Sequence, residues 1–302
     1  MASLCGDKVT HTHLRLQMIP LGIFAVALSV SANQIDPQIN QIGCGESEPV
    51  GRVYNGKPIR RESIPWIVSL ELDYGRMGIA GCGGIVITRN VVLTAGHCLL
   101  GERRHPERVN VWFNSTMLYG GTLVPADIVT VHQTFEKQLD IVYDIGLLKL
   151  TDDFKFDRML KPVCLPEGKM DIGGKSLLSA GWGKTGSVNE NKNLLYAQVN
   201  GLKDEDCQTF LKSETSSYTN RPIGPAPMIC AIGSTASVCD GDSGGPLTLQ
   251  DDRGRSTLVG IVEGVVSCSA GVPSVYTNVA FHLRWIKDML NNPSSWRSLM
   301  FH

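Results

Sequence analysis

The residues best suited to chemistry lie together in Cys239-Asp240-Gly241-Asp242-Ser243-Gly244-Gly245-Pro246 of the 302-residue chain. Glycines on both sides of Ser243 let the backbone bend sharply or approach a ligand closely, which leaves the serine hydroxyl exposed. Clusters of this composition also make ordinary surface loops. Asp240-x-Asp242-x-x-Gly245, with Asp251 at the twelfth position, partly fits a calcium loop. Gly244 offers that loop no side-chain oxygen, and Pro246 followed by Leu258-Val259-Gly260-Ile261-Val262 reads as turn then strand rather than helix. A hydroxyl is a poor nucleophile at neutral pH, so a catalytic role for Ser243 requires a base and an acid that orients the base. Two segments offer them. Thr94-Ala95-Gly96-His97-Cys98 follows the apolar run Val91-Val92-Leu93, and Asp144-Ile145-Gly146-Leu147-Leu148-Lys149-Leu150 begins at an acid and continues as a strand. Singly, His97 reads equally as a half-buried structural histidine, and Asp144 as a turn residue opening a strand.

Together, the order His97, Asp144, Ser243 and the local sequence at all three places resemble the trypsin-like serine protease family. The likeness runs from about Arg52 to Asn291. It implies an all-β, chymotrypsin-like fold: two antiparallel six-stranded β-barrels with a C-terminal helix and the active site between the barrels. It implies Ser243 as nucleophile, His97 as base, Asp144 as the group that holds the imidazole, and the Gly241 and Ser243 amides as an oxyanion hole. Gly51-Arg52-Val53-Tyr54-Asn55-Gly56 resembles the family's activation site. Cutting after Arg52 would free an α-ammonium at Val53 to pair with Asp242, a zymogen mechanism. The implied disulfides are Cys82 to Cys98, Cys207 to Cys230, Cys239 to Cys268 and Cys44 to Cys164. Two family cysteines that commonly pair are replaced by Leu177 and Leu249.

The same resemblance sets expectations for selectivity. The pocket base falls on Ser237, where trypsin-type members carry an aspartate that pairs with Arg or Lys; an unpaired guanidinium there would cost several kcal/mol. Val238 lines the pocket, Asp240 stands at its mouth, and Val265 and Ser274 replace glycines. A narrow apolar slot follows, resembling elastase-type members and suited to small aliphatic residues; a chymotrypsin-like specificity is the alternative. The chain departs from the family at Glu263-Gly264-Val265, where most members have Ser-Trp-Gly, so Glu263 takes the place of a serine that supports the catalytic aspartate. Two acids there would raise one pKa and loosen His97, unless Glu263 turns to solvent. A protease-like binding protein is the reading from another class, and it is disfavoured because His97, Asp144, Ser243, Asp242 and Arg52 are all present.

Behind these residues the sequence reads as strands. Trp66-Ile67-Val68-Ser69-Leu70, Gly84-Ile85-Val86-Ile87 and Val109-Asn110-Val111-Trp112-Phe113 alternate with Gly, Pro, Asn and Asp punctuation. Near the end, Trp285, Ile286, Met289 and Leu290 at helical spacing predict a terminal helix. The net charge of -1 gives no bulk electrostatic case for nucleic acid or an anionic membrane. Residues 18–30 are a short apolar segment preceded by Lys8 and Arg15 and followed by Val30-Ser31-Ala32, which reads as a secretory signal peptide. The long stretch before Met18 leaves Met18 as an alternative start. The expected organisation is a signal peptide over residues 1–32, a propeptide over 33–52 and a protease domain over 53–302. Of nine cysteines, Cys5 leaves with the leader, and an even number remains for an oxidising, extracellular setting. Asn114-Ser115-Thr116 is a glycosylation sequon. The basic cluster Arg103, Arg104, His105 and Arg108 reads as a solvated loop near His97, with contact to a substrate or inhibitor as the alternative. Residues 114–127 offer only Asp127 to a cation, so no metal is expected, and no cofactor. The expected partners are a protein or peptide substrate, an activating protease and protein inhibitors, with the chain itself a monomer.

Overall fold

A computed structural model describes residues 39–49, 57–101, 104–184, 192–213, 227–234, 237–265 and 268–296. The leader, Arg52, Val53, Arg103 and the Val265 side chain lie outside the described residues. After the short strand β1 (Lys57–Pro58), six strands form the first barrel: β2 (Ile67–Asp73), β3 (Ile79–Val86), β4 (Val91–Thr94), β5 (Arg108–Phe113), β6 (Thr122–Val131) and β7 (Gly146–Leu150). It closes in the order β2-β3-β4-β7-β6-β5, every pair antiparallel. Six more, β8 (Ser176–Gly181), β9 (Leu195–Gly201), β10 (Met228–Ile232), β11 (Pro246–Gln250), β12 (Ser256–Val265) and β13 (Ser274–Asn278), form the second. The β8–β9 pairing closes that barrel, and β1 adds to the outer edge of β9. Four helices are described: α1 (Gly96–Leu99), α2 (Gln133–Gln138), α3 (Asp204–Ser213) and α4 (Val279–Asn291). No helix among the described residues is long and apolar enough to cross a membrane.

β-branched and leucine side chains make the strands because they fit a pleated, half-buried surface. Val68, Leu70, Ile85, Leu93 and Leu147 are wholly buried in the first barrel, and Leu177, Leu247, Val262 and Tyr276 pack the second. The disulfides are Cys44–Cys164, Cys82–Cys98, Cys207–Cys230 and Cys239–Cys268. Cys44–Cys164 reinforces a segment already docked by hydrogen bonds. Asn40 grips Leu165 in both directions, its Nδ2 donating to the carbonyl at 3.0 Å and its Oδ1 accepting from the amide at 2.7 Å. Gly45 exchanges main-chain bonds with Pro162 at 2.8 Å and Ser256 at 2.9 Å, and Ile39 enters the core.

Leu177 and Leu249 stand on the neighbouring strands β8 and β11. The register Leu247–Ser179, Thr248–Leu178 brings Leu249 opposite Leu177 at the next step, and both pack on the same core cluster. Leu177→Cys combined with Leu249→Cys is therefore expected to close a fifth disulfide. It should raise the unfolding free energy by about 2–4 kcal/mol, read from urea midpoints under oxidising and reducing conditions. Two thiols that stay titratable after oxidation would show that the side chains do not face each other.

Candidate active site

Asp144 ends a single 3-10 turn, Ile141–Tyr143, that leads into β7. Its carboxylate is 1% exposed. One oxygen accepts the His97 backbone N–H at 2.6 Å and the other accepts His97 Nδ1–H at 2.6 Å. Two charge-assisted bonds to one residue fix the imidazole's position, rotation and tautomer together. The tautomer with its proton on Nδ1 leaves Nε2 as the basic nitrogen. Nε2 lies 3.8 Å from Cys98 Sγ, a disulfide sulfur with no proton to exchange. Burial alone would pull the His97 pKa down; the Asp144 charge, the hydrogen bond to it and the Glu263 charge together hold it above the ordinary histidine value. Cys82, His97 and Cys98 cluster closely, but the two sulfurs are bonded to each other and hold no thiolate for a metal.

The loop carrying Ser243 is tied to the first barrel by a main-chain bond. The Ser243 carbonyl accepts from the Gly83 amide at 2.7 Å, and the Gly83 carbonyl accepts Thr94 Oγ1 at 2.8 Å. Cys82, beside Gly83, is bonded to Cys98, beside His97. One hydrogen bond and one disulfide therefore link the serine loop to the histidine helix α1. Gly244, at φ +77°, permits the approach: a Cβ there would strike Thr94 Oγ1 and the Gly83 carbonyl. Its amide donates to the Val262 carbonyl at 2.8 Å, stitching the loop to β12. Among the described residues the Gly241 and Ser243 amides have no acceptor. These two N–H groups flank Asp242, whose own amide donates to the Cys239 carbonyl at 3.0 Å, in a turn with Gly241 at φ +94°.

Asp242 points the other way, into the protein, at 9% exposure. It accepts from Gly183 N at 2.8 Å and from Cys239 N at 2.8 Å. Gly183 must be glycine for this, because a Cβ there would lie 2.5 Å from the Asp242 carboxyl carbon. Burial outweighs the two amides and pushes the Asp242 pKa up to about 6. Among the described residues no cation reaches it.

Ser237 and Ser274 touch, Oγ to Oγ at 2.8 Å, and neither carries charge. Val238 is buried beside them with Tyr276, whose phenol burial pushes up. Ser274 faces Val265 across the β12–β13 ladder, and Cys239–Cys268 ties the serine loop to the segment between those strands. A Cβ at Gly264 would meet open space. Glu263, half-buried at the bulge between Val262 and Gly264, acts electrostatically on His97. At the surface, Asp240 is paired with Lys184 at 3.1 Å. Asn114 lies in a bend at φ +61°, and Arg108 is paired with Asp73 at 2.6 Å on the outside of the first barrel.

Sequence reading missed two groups that hold Asp144 from the second half of the chain. Thr277 Oγ1 donates to the Asp144 carbonyl at 3.0 Å across 133 positions. His282 Nε2 lies 2.9 Å from the Val142 carbonyl across 140 positions. A threonine in a strand gives no signal, but a histidine inside the apolar stripe of a terminal helix does.

The profile of the family described as Trypsin matches residues 53–286. CLIP domain-containing serine protease B4 of Anopheles gambiae is 32% identical over 260 residues, 78% of this chain and 70% of that protein. Trypsin iota of Drosophila melanogaster is 31% identical over 245 residues, 81% of this chain and 90% of that protein. Among solved structures, the scabies mite inactivated protease paralogue S-D1 superposes with a TM-score of 0.68 at 23% identity, covering 82% of this chain and all of that one, which supports the fold alone. With two closed six-stranded barrels, a terminal helix and a family match over most of its length, this chain belongs to the trypsin family of serine peptidases.

Proposed function

We propose that the chain is a secreted zymogen that, once cut after Arg52, hydrolyses peptide bonds through Ser243, His97 and Asp144. The observation that carries this reading is the double grip of the buried Asp144 carboxylate on His97, at 2.6 Å to each nitrogen. In the first step His97 Nε2 takes the Ser243 proton as Oγ bonds to the substrate carbonyl carbon. The carbonyl electron pair moves onto oxygen, where the Gly241 and Ser243 amides receive it. The pair returns, the C–N bond breaks, and the imidazolium gives its proton to the leaving amine. Water then attacks the acyl-enzyme by the same sequence and restores Ser243.

Asp242 supports the zymogen reading because its carboxylate is buried without a cation among the described residues. An α-ammonium freed at Val53 would supply one and fix the turn that aims both amides. Cys44–Cys164 and the Asn40 and Gly45 bonds would keep the segment before Arg52 attached after cutting. Four disulfides fit an oxidising, extracellular setting. The uncharged Ser237–Ser274 base beside Val238 favours small aliphatic side chains over Arg or Lys.

The experiment is turnover of a peptide-ester series differing only at the residue before the scissile bond, measured before and after cutting at Arg52. Alanine and valine esters are expected to be cleaved only after cutting, and Ser243→Ala is expected to lower kcat by at least about a thousandfold. A preference for Arg or Phe would overturn the pocket assignment while leaving the triad. No turnover and no labelling of Ser243 by a phosphonylating reagent, despite a freed Val53 terminus, would favour a protease-like binding protein.

Asp242 gives a stability signature with a definite sign. An acid whose folded pKa is raised takes up a proton on folding between its unfolded and folded values, so stability falls as pH rises through that window. In the uncut chain the unfolding free energy should drop by about 3 kcal/mol from about pH 4 to about pH 6. Asp242→Asn should flatten that drop, and so should cutting after Arg52. Equal slopes before and after cutting, read by urea unfolding across pH, would refute the pairing with Val53.

Glu263 gives a kinetic one. His97 works as a base only when deprotonated, and the Glu263 charge helps hold its pKa up. Glu263→Gln is therefore expected to move the acid limb of kcat/KM to lower pH. An unmoved limb would mean that solvent screens the glutamate.

A further inference from the structure

α4 carries a buried stripe of Val279, Leu283, Ile286 and Leu290, and His282 lies on it at 2% exposure. Any apolar residue would fill this place without the cost of desolvating an imidazole. The ring is enclosed by aromatic neighbours: Phe281 at 4.9 Å, Tyr143 at 5.9 Å and His132 at 5.9 Å between centroids, with Tyr143 stacked on His132 at 4.6 Å. Its polar contact is Nε2 to the Val142 carbonyl at 2.9 Å. A carbonyl only accepts, so Nε2 carries the proton and the ring donates. Burial pushes the His282 pKa down to about 4, so the ring is neutral near pH 7 and the donor is always present there.

The accepting carbonyl sits two residues before Asp144. Val142 N–H donates to Asp140 Oδ1 at 3.1 Å, so the Val142 amide is held from one side by the turn and its carbonyl from the other by α4. The turn continues with Asp144 N to the Ile141 carbonyl at 3.2 Å and Ile145 N to the Tyr143 carbonyl at 2.8 Å. Thr277, just before α4, holds the Asp144 carbonyl itself. No other donor among the described residues reaches the Val142 carbonyl. Without His282 a half-buried acceptor would be left unsatisfied, and the turn would relax toward solvent to pair it.

We propose that His282 is a positioning residue for the Asp144–His97 pair: its bond to the Val142 carbonyl fixes the turn from which the carboxylate projects, keeping both oxygens on His97. The kinetic consequence rests on the triad reading above, whereas the geometric content rests on these hydrogen bonds alone.

The test compares His282→Phe, which keeps an aromatic ring and removes the donor, with His282→Gln, whose amide restores an N–H at similar reach. The first readout is the His97 titration followed by NMR in the full chain, which needs no turnover. The second is kcat and KM on an alanine ester after cutting at Arg52, and the third is Tm. His282→Phe is expected to lower the His97 pKa, because Asp144 no longer bears on it fully. It should reduce kcat about 10- to 100-fold with KM within about twofold. His282→Gln is expected to recover most of both, whatever its Tm. An unchanged His97 titration in His282→Phe, even with a lowered Tm, overturns the proposal by making His282 a packing residue; so does His282→Gln behaving like His282→Phe. Should His282→Phe fail to fold, His282→Asn, whose amide stops short of the carbonyl, takes its place. If the parent enzyme neither turns over ester nor takes up a serine-directed label, the triad reading fails, and the His97 titration still decides the role of His282.

Discussion

Asp144 is a carboxylate at 1% exposure, and at that depth a charge is tolerable only if donors answer it at both oxygens. Both donors come from His97, one from its main chain and one from its ring. Burial of the acid and orientation of the imidazole are therefore one event. Neither could be arranged by the loop alone. His97 stands on a four-residue helix, too short to hold itself, and Cys98 bonds it to Cys82 on β3. Asp144 stands on a 3-10 turn whose last carbonyls are gripped by Thr277 and His282. The pair is suspended between the first barrel and the start of the terminal helix, so the second half of the chain holds a pair carried by the first.

Asp242 is the counterpart that is not fully answered. Two backbone amides and a bed of glycine accept its shape, yet they leave its pKa pushed up to about 6, where Asp144 has the ring and main-chain donors of His97. It sits one residue before Ser243, so whatever neutralises it also acts on the turn carrying the Gly241 and Ser243 amides. A well-paired carboxylate gives a rigid site and a poorly paired one gives a place where a new cation can do work. The chain has one of each, Asp144 and Asp242.

The parts of this arrangement legible in sequence are those where one short segment must satisfy several demands at once. Residues 239–246 need tight turns around a nucleophile, and only Gly, Asp, Ser and Pro supply them, so the loop announces itself. Alternating runs such as that in β5 declare strands because one face is buried, and the helical spacing of Trp285, Ile286, Met289 and Leu290 falls within α4. Contacts set by strand register are not legible in this way. Thr277 meets Asp144 because β13 runs where it does, and nothing near position 277 says so. His282 was readable in principle, as a polar ring on an apolar stripe, but the carbonyl it serves could be known only once α4 had been placed against the turn. Glu263 is an intermediate case: its type marked a departure from the family beside Asp144 and His97, and the direction of its effect, raising the His97 pKa, came from the structure.

The departures from the family also have an order in space. Glu263, Gly264 and Val265 end β12, and the ladder sets Gly264 opposite Val275 and Val265 opposite Ser274 on β13. Ser274 in turn bonds Ser237 beside the serine loop. The changed positions thus form one connected patch on the second barrel, reached through adjacent register positions. His97, Asp144 and the Cys82–Cys98 bridge belong to the first barrel and are untouched by it. Apart from Glu263, the changed positions are none of the residues that bond Asp144 or His97; on β13 the contact with Asp144 is made by Thr277, outside the patch. Glu263 is the exception, since its charge crosses to His97. At that one position a departure on the second barrel acts on a side chain of the first.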